Sequence, residues 1–115
     1  MPDDVNIPAD LSDLLEDLAG QEGAIKDLIN QFNQDAPRYL AQLREAVEKD
    51  DARGLEQVAH RLKSLLGIFQ AMNAYGMAER LEDCGRSNCW NEVRNLVDEF
   101  DAELARVRDY LAGFL

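Results

Sequence analysis

The sequence predicts an all-α protein: an antiparallel up-down four-helix bundle with a short N-terminal helix packed across one end. Apolar residues recur at helical spacing along the whole chain, and no segment alternates with the period of two that a half-buried strand requires. The connections between the helical segments are short and polar, which favours antiparallel neighbours. With 115 residues, 46% of them hydrophobic, the chain has the size of one domain spanning 1–115.

The first two helical segments are separated at Gly20. A short first helix is predicted over about 8–19, with Asp10 as a candidate cap, and the bundle over about 21–115. In the second helix the apolar phase continues through Pro37. We expect one long helix, kinked or briefly broken there, because proline lacks a backbone donor and crowds the preceding turn.

Three further helices are predicted in the second half of the chain. The third is capped at Asp50-Asp51, and the fourth begins at Asn73 and stops at residues 85–88, "GRSN". The last keeps close to a 3.5-residue apolar repeat over about six turns. Its apolar positions are Val93, Leu96, Val97, Phe100, Leu104, Val107, Leu111 and Phe114.

Composition excludes several classes of function. A net charge of -11 disfavours nucleic-acid binding, which draws its affinity mainly from cations that neutralise phosphates. The longest uncharged apolar run, residues 65–69, is far shorter than the roughly 20 residues of a membrane span. Residues 1–4 are acidic where a signal peptide is basic. We therefore expect a cytoplasmic protein without membrane contact, whose partner is another protein.

Two groups of residues that could carry chemistry are interpreted as structural. Cys84 and Cys89 have no second pair and no neighbouring histidine to complete a metal site. We expect two reduced thiols, with Cys84 in the core, and no bound metal. The pair Glu82-Asp83 is interpreted as a solvated helix face, since neighbouring helical residues point about 100° apart.

The only histidine, His60, lies in the third predicted helix, outside its apolar stripe. Residues three, four and seven positions apart share a helix face, so Lys63, Ser64 and Gly67 lie on the strip of His60. Segment 52–70 carries a net charge of +2, against -13 for the rest of the chain. A neutral imidazole is a nucleophile, and phosphoryl transfer requires mainly positioning and charge compensation. Because a lone histidine is by default structural, the strip alone does not decide its role.

The run "AHRLKSLLGIFQA", followed by "LED", resembles the histidine phosphotransfer (HPt) domains of bacterial multistep phosphorelays. The segment 32–43, "FNQDAPRYLAQL", resembles the helix that precedes this motif in the family. Two positions depart from the family pattern, since Ser64 and Gln70 stand where glycine is usual or common. The matching positions are Ala59, His60, Leu62, Lys63, Gly67, Ala71, Leu81 and Glu82.

The resemblance implies that His60 accepts a phosphoryl group from a receiver-domain aspartate and passes it to another response regulator, while Lys63 steadies the phosphate. The implied partners are response-regulator receiver domains and a sensor histidine kinase of the simple or hybrid type. Mg²⁺ would come from the receiver; this chain would bind no cofactor, have no kinase activity and be a monomer. The implied docking surface comprises Gln57, Arg61, Ser64, Gly67, Leu11 and Leu14.

Two alternatives stay open. A binding module of the same fold would dock a receiver without phosphotransfer, and its receiver binding would be insensitive to His60→Ala. An unrelated acidic helical adaptor or enzyme would show a metal or substrate pocket inside the bundle. The sequence has no inward cluster of Glu and His at the i, i+3 spacing of a carboxylate metal site, which places this alternative last.

Overall fold

The computed structural model describes residues 7–115, and within this range the chain forms five α-helices and no strand. The all-α prediction is therefore confirmed. Each long helix packs against the next and the last packs against the second, with the most extensive contact between the third and fourth. The helices are α1 (Ser12–Asp17), α2 (Glu22–Glu48), α3 (Ala52–Ile68), α4 (Met72–Ser87) and α5 (Trp90–Ala112).

The four long helices enclose one hydrophobic core. Phe32 of α2 and Phe69, directly after α3, meet edge to face with ring centroids 5.3 Å apart. Phe100 of α5 is fully buried in the same core. The predicted stripe of α5 is buried from Val93 to Leu111, but Phe114 lies beyond the helix and is 37% exposed. Within residues 7–115, no helix combines the length and the apolar character needed to cross a bilayer.

The second helix is a single element. α2 continues through Pro37 without a break between Glu22 and Glu48. Of the two predicted forms, a kinked helix and a briefly broken one, the broken form is not observed. Ala36 is fully buried, whereas Pro37 lies on the exposed side. The core contacts of α2 therefore stabilise it on both sides of the proline.

The first helix is shorter than the predicted 8–19, because its regular turns span only Ser12–Asp17. Asp10 precedes it and its Oδ1 accepts hydrogen bonds from the Ser12 backbone N–H at 2.9 Å and the Ser12 hydroxyl at 2.6 Å. The Asp10 backbone N–H donates to the Phe69 carbonyl at 3.0 Å. The segment before α1 is thus attached to the C-terminal end of α3.

Gln70 lies two residues after the end of α3, directly after the C-cap Phe69, and is in a left-handed conformation with φ +48°. Glycine adopts this region without steric cost, which accounts for the glycine that the family pattern has at this position. The Gln70 side chain compensates in part, since its Nε2 donates to Asp13 Oδ2 at 2.6 Å. Glutamine at this position therefore costs some backbone strain, but its side chain joins α1 to the end of α3.

The fourth helix ends within the predicted stop at residues 85–88, since it continues through Gly85 to Ser87. Gly85 is buried against the start of α3, where an added Cβ would lie 2.8 Å from the Ala52 carbonyl oxygen and from the Glu56 backbone nitrogen. The glycine therefore permits a close approach of two helix backbones. The helix ends at Asn88, which is left-handed with φ +57°.

The turn at Asn88 brings the two cysteines together. Cys84 and Cys89 have Cα atoms 4.8 Å apart, and their sulfur atoms are bonded in a disulfide. The expectation of two reduced thiols is wrong for this structure, although Cys84 is buried as expected. The left-handed residue reverses the chain after α4 and places the first cysteine beside the second, which helical periodicity alone does not predict.

Candidate functional site

His60 lies in the middle of α3 and projects away from the core. The helix is started by Asp51, whose side chain accepts a hydrogen bond from the Gly54 N–H at 2.9 Å. The helix then buries its apolar stripe, which comprises Leu55, Val58, Ala59, Leu62 and Leu66. This orientation leaves the His60 side chain 60% exposed and confirms that it lies outside the core stripe.

The inner nitrogen of His60 contacts a carboxylate on the neighbouring helix. Nδ1 lies 2.9 Å from Oε2 of Glu82 in α4. An ionised carboxylate can only accept a hydrogen bond, so we assign the proton of the neutral ring to Nδ1. The lone pair then lies on Nε2. Glu82 thereby fixes both the orientation of the ring and the nitrogen that can act as a nucleophile.

Glu82 is ionised because two cations surround it. Lys63 Nζ lies 2.7 Å from its Oε1, and Arg86 Nη2 lies 2.9 Å from its Oε2, although the Glu82 side chain is only 5% exposed. Burial raises the pKa of Glu82. The contacts with Lys63 and His60, and the charges of Lys63 and Arg86, outweigh this effect and hold the pKa below its ordinary value.

The ammonium group of Lys63 is paired with the Glu82 carboxylate. The Glu82 carboxylate raises the pKa of Lys63 against the opposing effect of burial, so the ammonium group stays charged. Its Nζ lies 2.7 Å from Oε1, which is within the distance of a charge-assisted hydrogen bond. Nζ also lies 6.0 Å from the centre of the Tyr75 ring, at the outer limit of a cation–π contact. Lys63 therefore holds a fixed positive charge beside the carboxylate that orients His60.

Arg86 connects the two helices that carry these residues. Its Nε donates to Glu56 Oε2 in α3 at 2.9 Å, and its Nη1 donates to Asp83 Oδ1 in α4 at 2.7 Å. With Nη2 on Glu82, the guanidinium joins three carboxylates. We refer to His60, Lys63, Glu82 and Arg86 as the Glu82 cluster.

Two open recesses adjoin the exposed face of His60. The first, of about 510 Å³, is lined by polar and charged residues, and the second, of about 380 Å³, has a mainly apolar surface. The first is lined by Arg53, Glu56, Gln57, His60, Arg61 and Glu82. The second is lined by Tyr39, His60, Arg61, Ser64, Leu65 and Ile68. A partner that covers His60 would therefore meet charged groups on one side and apolar groups on the other.

The family model of the Hpt domain matches residues 27–110. The chain belongs to the Hpt domain family. The matched range contains all of α3 and α4, most of α2 and α5, and the complete Glu82 cluster. Membership implies involvement in phosphorelay phosphotransfer and interaction with receiver domains and kinases. No curated protein and no solved structure gives a significant match to the chain.

The structure of this Hpt domain brings together most of the residues that the sequence singled out. His60 and Lys63 meet on the two oxygens of one carboxylate. Ser64 is exposed, and its hydroxyl donates to the His60 carbonyl at 3.1 Å, so it offers a small surface to a partner. Gln57 and Arg61 are also exposed beside His60.

Three of the predicted docking residues of the Hpt domain pack against other parts of the fold. Leu11 is only 3% exposed, so its assignment to the docking surface is wrong: it packs in the core. Leu14 is half-buried and also packs against the core. Gly67 is half-buried beside α4, where an added Cβ would lie 3.5 Å from the Tyr75 ring. Its small size therefore serves helix packing in addition to any contact with a partner.

Glu82 is the functional residue that the sequence interpretation assigned wrongly. Asp83 is exposed as predicted, but Glu82 is buried and contacts three members of the site. The matched string "LED" contained this glutamate and was the available signal. Its role could not be derived from helical spacing, because it depends on how α4 packs against α3. In the part of the chain that the structure describes, no group of three His, Cys, Asp or Glu side chains is arranged to hold a metal ion.

Proposed function

We propose that this Hpt domain is a phosphoryl carrier. In the proposed reaction the Nε2 lone pair of His60 attacks the phosphorus of a receiver's aspartyl phosphate. The N–P bond forms, the P–O bond to the aspartate breaks, and the aspartate leaves as a carboxylate. The same reaction in reverse passes the group to another response regulator. The observation that carries the proposal is the contact of His60 Nδ1 with Glu82 Oε2 at 2.9 Å, since it leaves Nε2 as the nucleophile.

The charges of the Glu82 cluster suit this reaction. Attack through Nε2 makes the ring an imidazolium that keeps its proton on Nδ1, and the Glu82 carboxylate compensates that positive charge. Lys63 contacts the other oxygen of this carboxylate through Nζ at 2.7 Å. An ammonium group carries three N–H donors, so those that do not face Glu82 can turn to the phosphoryl oxygens, which is the role that the family resemblance implies.

The surface around His60 suits a receiver domain. We infer that the receiver covers the two recesses, with Gln57, Arg61 and Ser64 in contact. The receiver would contribute Mg²⁺ and the acidic pocket, since this chain is proposed to bind no cofactor and to have no kinase activity. A sensor histidine kinase of the simple or hybrid type would supply the phosphoryl group to the relay. We further propose that the chain acts as a cytoplasmic monomer.

The arrangement of the helices is part of the same proposal. Arg44 of α2 pairs with Asp98 and Asp101 of α5, while Arg108, later in α5, donates to the carbonyl of Asn33, earlier in α2. The C-terminal half of α2 thus lies beside the first half of α5, and the N-terminal half of α2 lies beside the C-terminal end of α5. This supports the up-down antiparallel order in which His60 lies on the outer face of a rigid bundle.

Incubation with a phosphorylated receiver domain should place one phosphoryl group on each chain. Because the group is bound to nitrogen, we expect it to be labile in acid and stable in alkali. Radiolabelled phosphate followed by acid and alkali treatment would measure this, with a receiver that lacks its phosphorylatable aspartate as the control. Binding of the receiver without any phosphorylated product from any receiver of the source organism would favour the binding module instead.

Glu82→Gln should slow phosphoryl acceptance by about 10- to 100-fold, the usual cost of removing a group that orients a reactive histidine. Glutamine can still accept a hydrogen bond from Nδ1, but it lacks the charge that compensates the imidazolium and holds Lys63. The initial rate of labelling measures the effect. The matched control is Asp83→Asn, which alters an exposed carboxylate that Arg86 also contacts and should change the rate by less than about twofold. Equal rates for the two variants would contradict the role of Glu82.

A further inference from the structure

The Cys84–Cys89 disulfide lies at the corner between α4 and α5, next to the Glu82 cluster but outside it. We propose that this pair is a reversible thiol–disulfide modification site, and that its oxidation state controls how firmly Arg86 holds Glu82. The regulatory part rests on the proposed phosphocarrier function. The chemical part rests only on the two sulfur atoms and their surroundings.

The bond joins a buried sulfur to a more accessible one. Cys84 is 6% exposed, while Cys89 is half-buried and occupies the position directly before the first turn of α5. The Ser87 hydroxyl donates to the Asp83 carbonyl at 2.7 Å and lies 3.9 Å from the Cys89 sulfur. A helix N-terminus favours the thiolate form of a reduced cysteine, so Cys89 is the sulfur that a redox partner would attack or oxidise first.

Arg86 lies inside the short loop that the bond closes. Its carboxylate partners are Glu82 and Asp83 on the same helix and Glu56 on α3. When the disulfide is intact, the last turn of α4 is attached covalently to α5, which itself packs against α2 and α4. The backbone that carries Arg86 is then confined, and the guanidinium stays between Glu56 and Glu82.

Reduction would loosen this arrangement. Two thiols cannot stay at bonding distance, so the sulfurs move apart and the turn at Asn88 gains freedom. The Arg86 side chain is already 52% exposed, so a small change in its backbone weakens its hold on Glu82. Glu82 in turn orients His60. The oxidised protein should therefore accept phosphoryl groups faster than the reduced one.

Each direction of the switch has a balanced reaction. A peroxide oxidises the Cys89 thiolate to a sulfenic acid, and the Cys84 thiolate then attacks that sulfur, so two thiols and one peroxide yield the disulfide and two waters when the peroxide is hydrogen peroxide. A dithiol reductant attacks Cys89, which releases the Cys84 thiolate to take up a proton. The second thiol of the reductant then frees Cys89 and leaves as a disulfide. Disulfides in cytosolic proteins are usually transient in this way.

The test compares the full chain after hydrogen peroxide with the same chain after dithiothreitol. Intact mass and alkylation should show no free thiol in the first sample and two in the second. The oxidised form should melt higher by about 5 °C or more, since the bond restricts the unfolded chain. It should also accept phosphoryl groups about 2- to 30-fold faster, the range of typical coupling between neighbouring sites.

Cys89→Ser is the matched control, because it removes the bond at the more accessible sulfur and leaves Cys84 in the core. This variant should behave like the reduced protein in both solutions. Two alkylated thiols after peroxide would overturn the proposal, as would equal ¹⁵N signals of the His60 ring in the oxidised and reduced wild type. Neither readout needs phosphotransfer, so a chain that forms the disulfide but accepts no phosphoryl group would contradict the proposed function separately.

Discussion

The substitution His60→Gln is expected to abolish phosphoryl acceptance while leaving the fold intact. The amide nitrogen of glutamine can donate a hydrogen bond to Glu82, as Nδ1 of the histidine does. Its lone pair is delocalised, however, so no nucleophile faces the receiver. Since the His60 side chain is 60% exposed, its replacement should change the free energy of unfolding by less than about 1 kcal/mol.

Radiolabel transfer from a phosphorylated receiver would measure the loss, and urea denaturation would show that the variant is folded. Glu99→Gln is the control, because Glu99 is exposed on α5 and lies outside the two recesses that adjoin His60. We expect this control to be labelled normally. Residual acid-labile label on the glutamine variant would mean that another residue accepts the phosphoryl group.

Gly85→Ala is expected to destabilise the fold by about 2–3 kcal/mol, the cost of inserting a methyl group where the backbone cannot move aside. The new Cβ would lie 2.8 Å from the Ala52 carbonyl oxygen and the Glu56 backbone nitrogen. Both are backbone atoms of the first turns of α3, so α3 and α4 must separate. Phosphoryl acceptance should fall as well, because the same separation draws Glu82 away from His60. Urea denaturation would give the free energy of unfolding.

Gly76→Ala in the same helix provides the comparison. Nothing lies within 4 Å of a Cβ at this position. The substitution should therefore raise stability by about 0.5–1 kcal/mol, since alanine is the better helix former. If both glycine variants were stabilised alike, the close approach of α3 and α4 at Gly85 would be refuted.

Much of the fold follows from local patterns in the sequence. The apolar period of 3.6 residues depends on neighbours along the chain, which is why the long helices and the exposed position of His60 were predicted from residues such as Leu62 and Leu66. The Asp51 cap is equally local, because a side chain bonds a backbone group three residues later. The sequence motif around His60 and Lys63 indicated the family, and the Hpt domain match to residues 27–110 confirms it.

Features that join distant residues could not be obtained in this way. Glu82 was assigned to a solvated face because helical spacing says nothing about which neighbouring helix covers it. The family resemblance implies a docking role for Leu11, and the sequence does not predict its burial, because that depends on where the N-terminal segment lies. The Cys84–Cys89 bond depends on a left-handed turn at Asn88. The sequence predicts that the helix stops in this segment, but it does not predict the geometry of the turn.

The sequence by itself thus determined the helical elements, the choice of His60 and Lys63 as site residues, and the family. Each of these depends on residues that lie only a few positions apart. The tertiary structure alone decided the chemistry of the ring. Only the packing of α4 on α3 places a buried, ionised carboxylate 2.9 Å from His60 Nδ1 and leaves Nε2 as the free nitrogen. That contact joins residues 22 positions apart, and its physical basis is the close approach that Gly85 permits between two backbones.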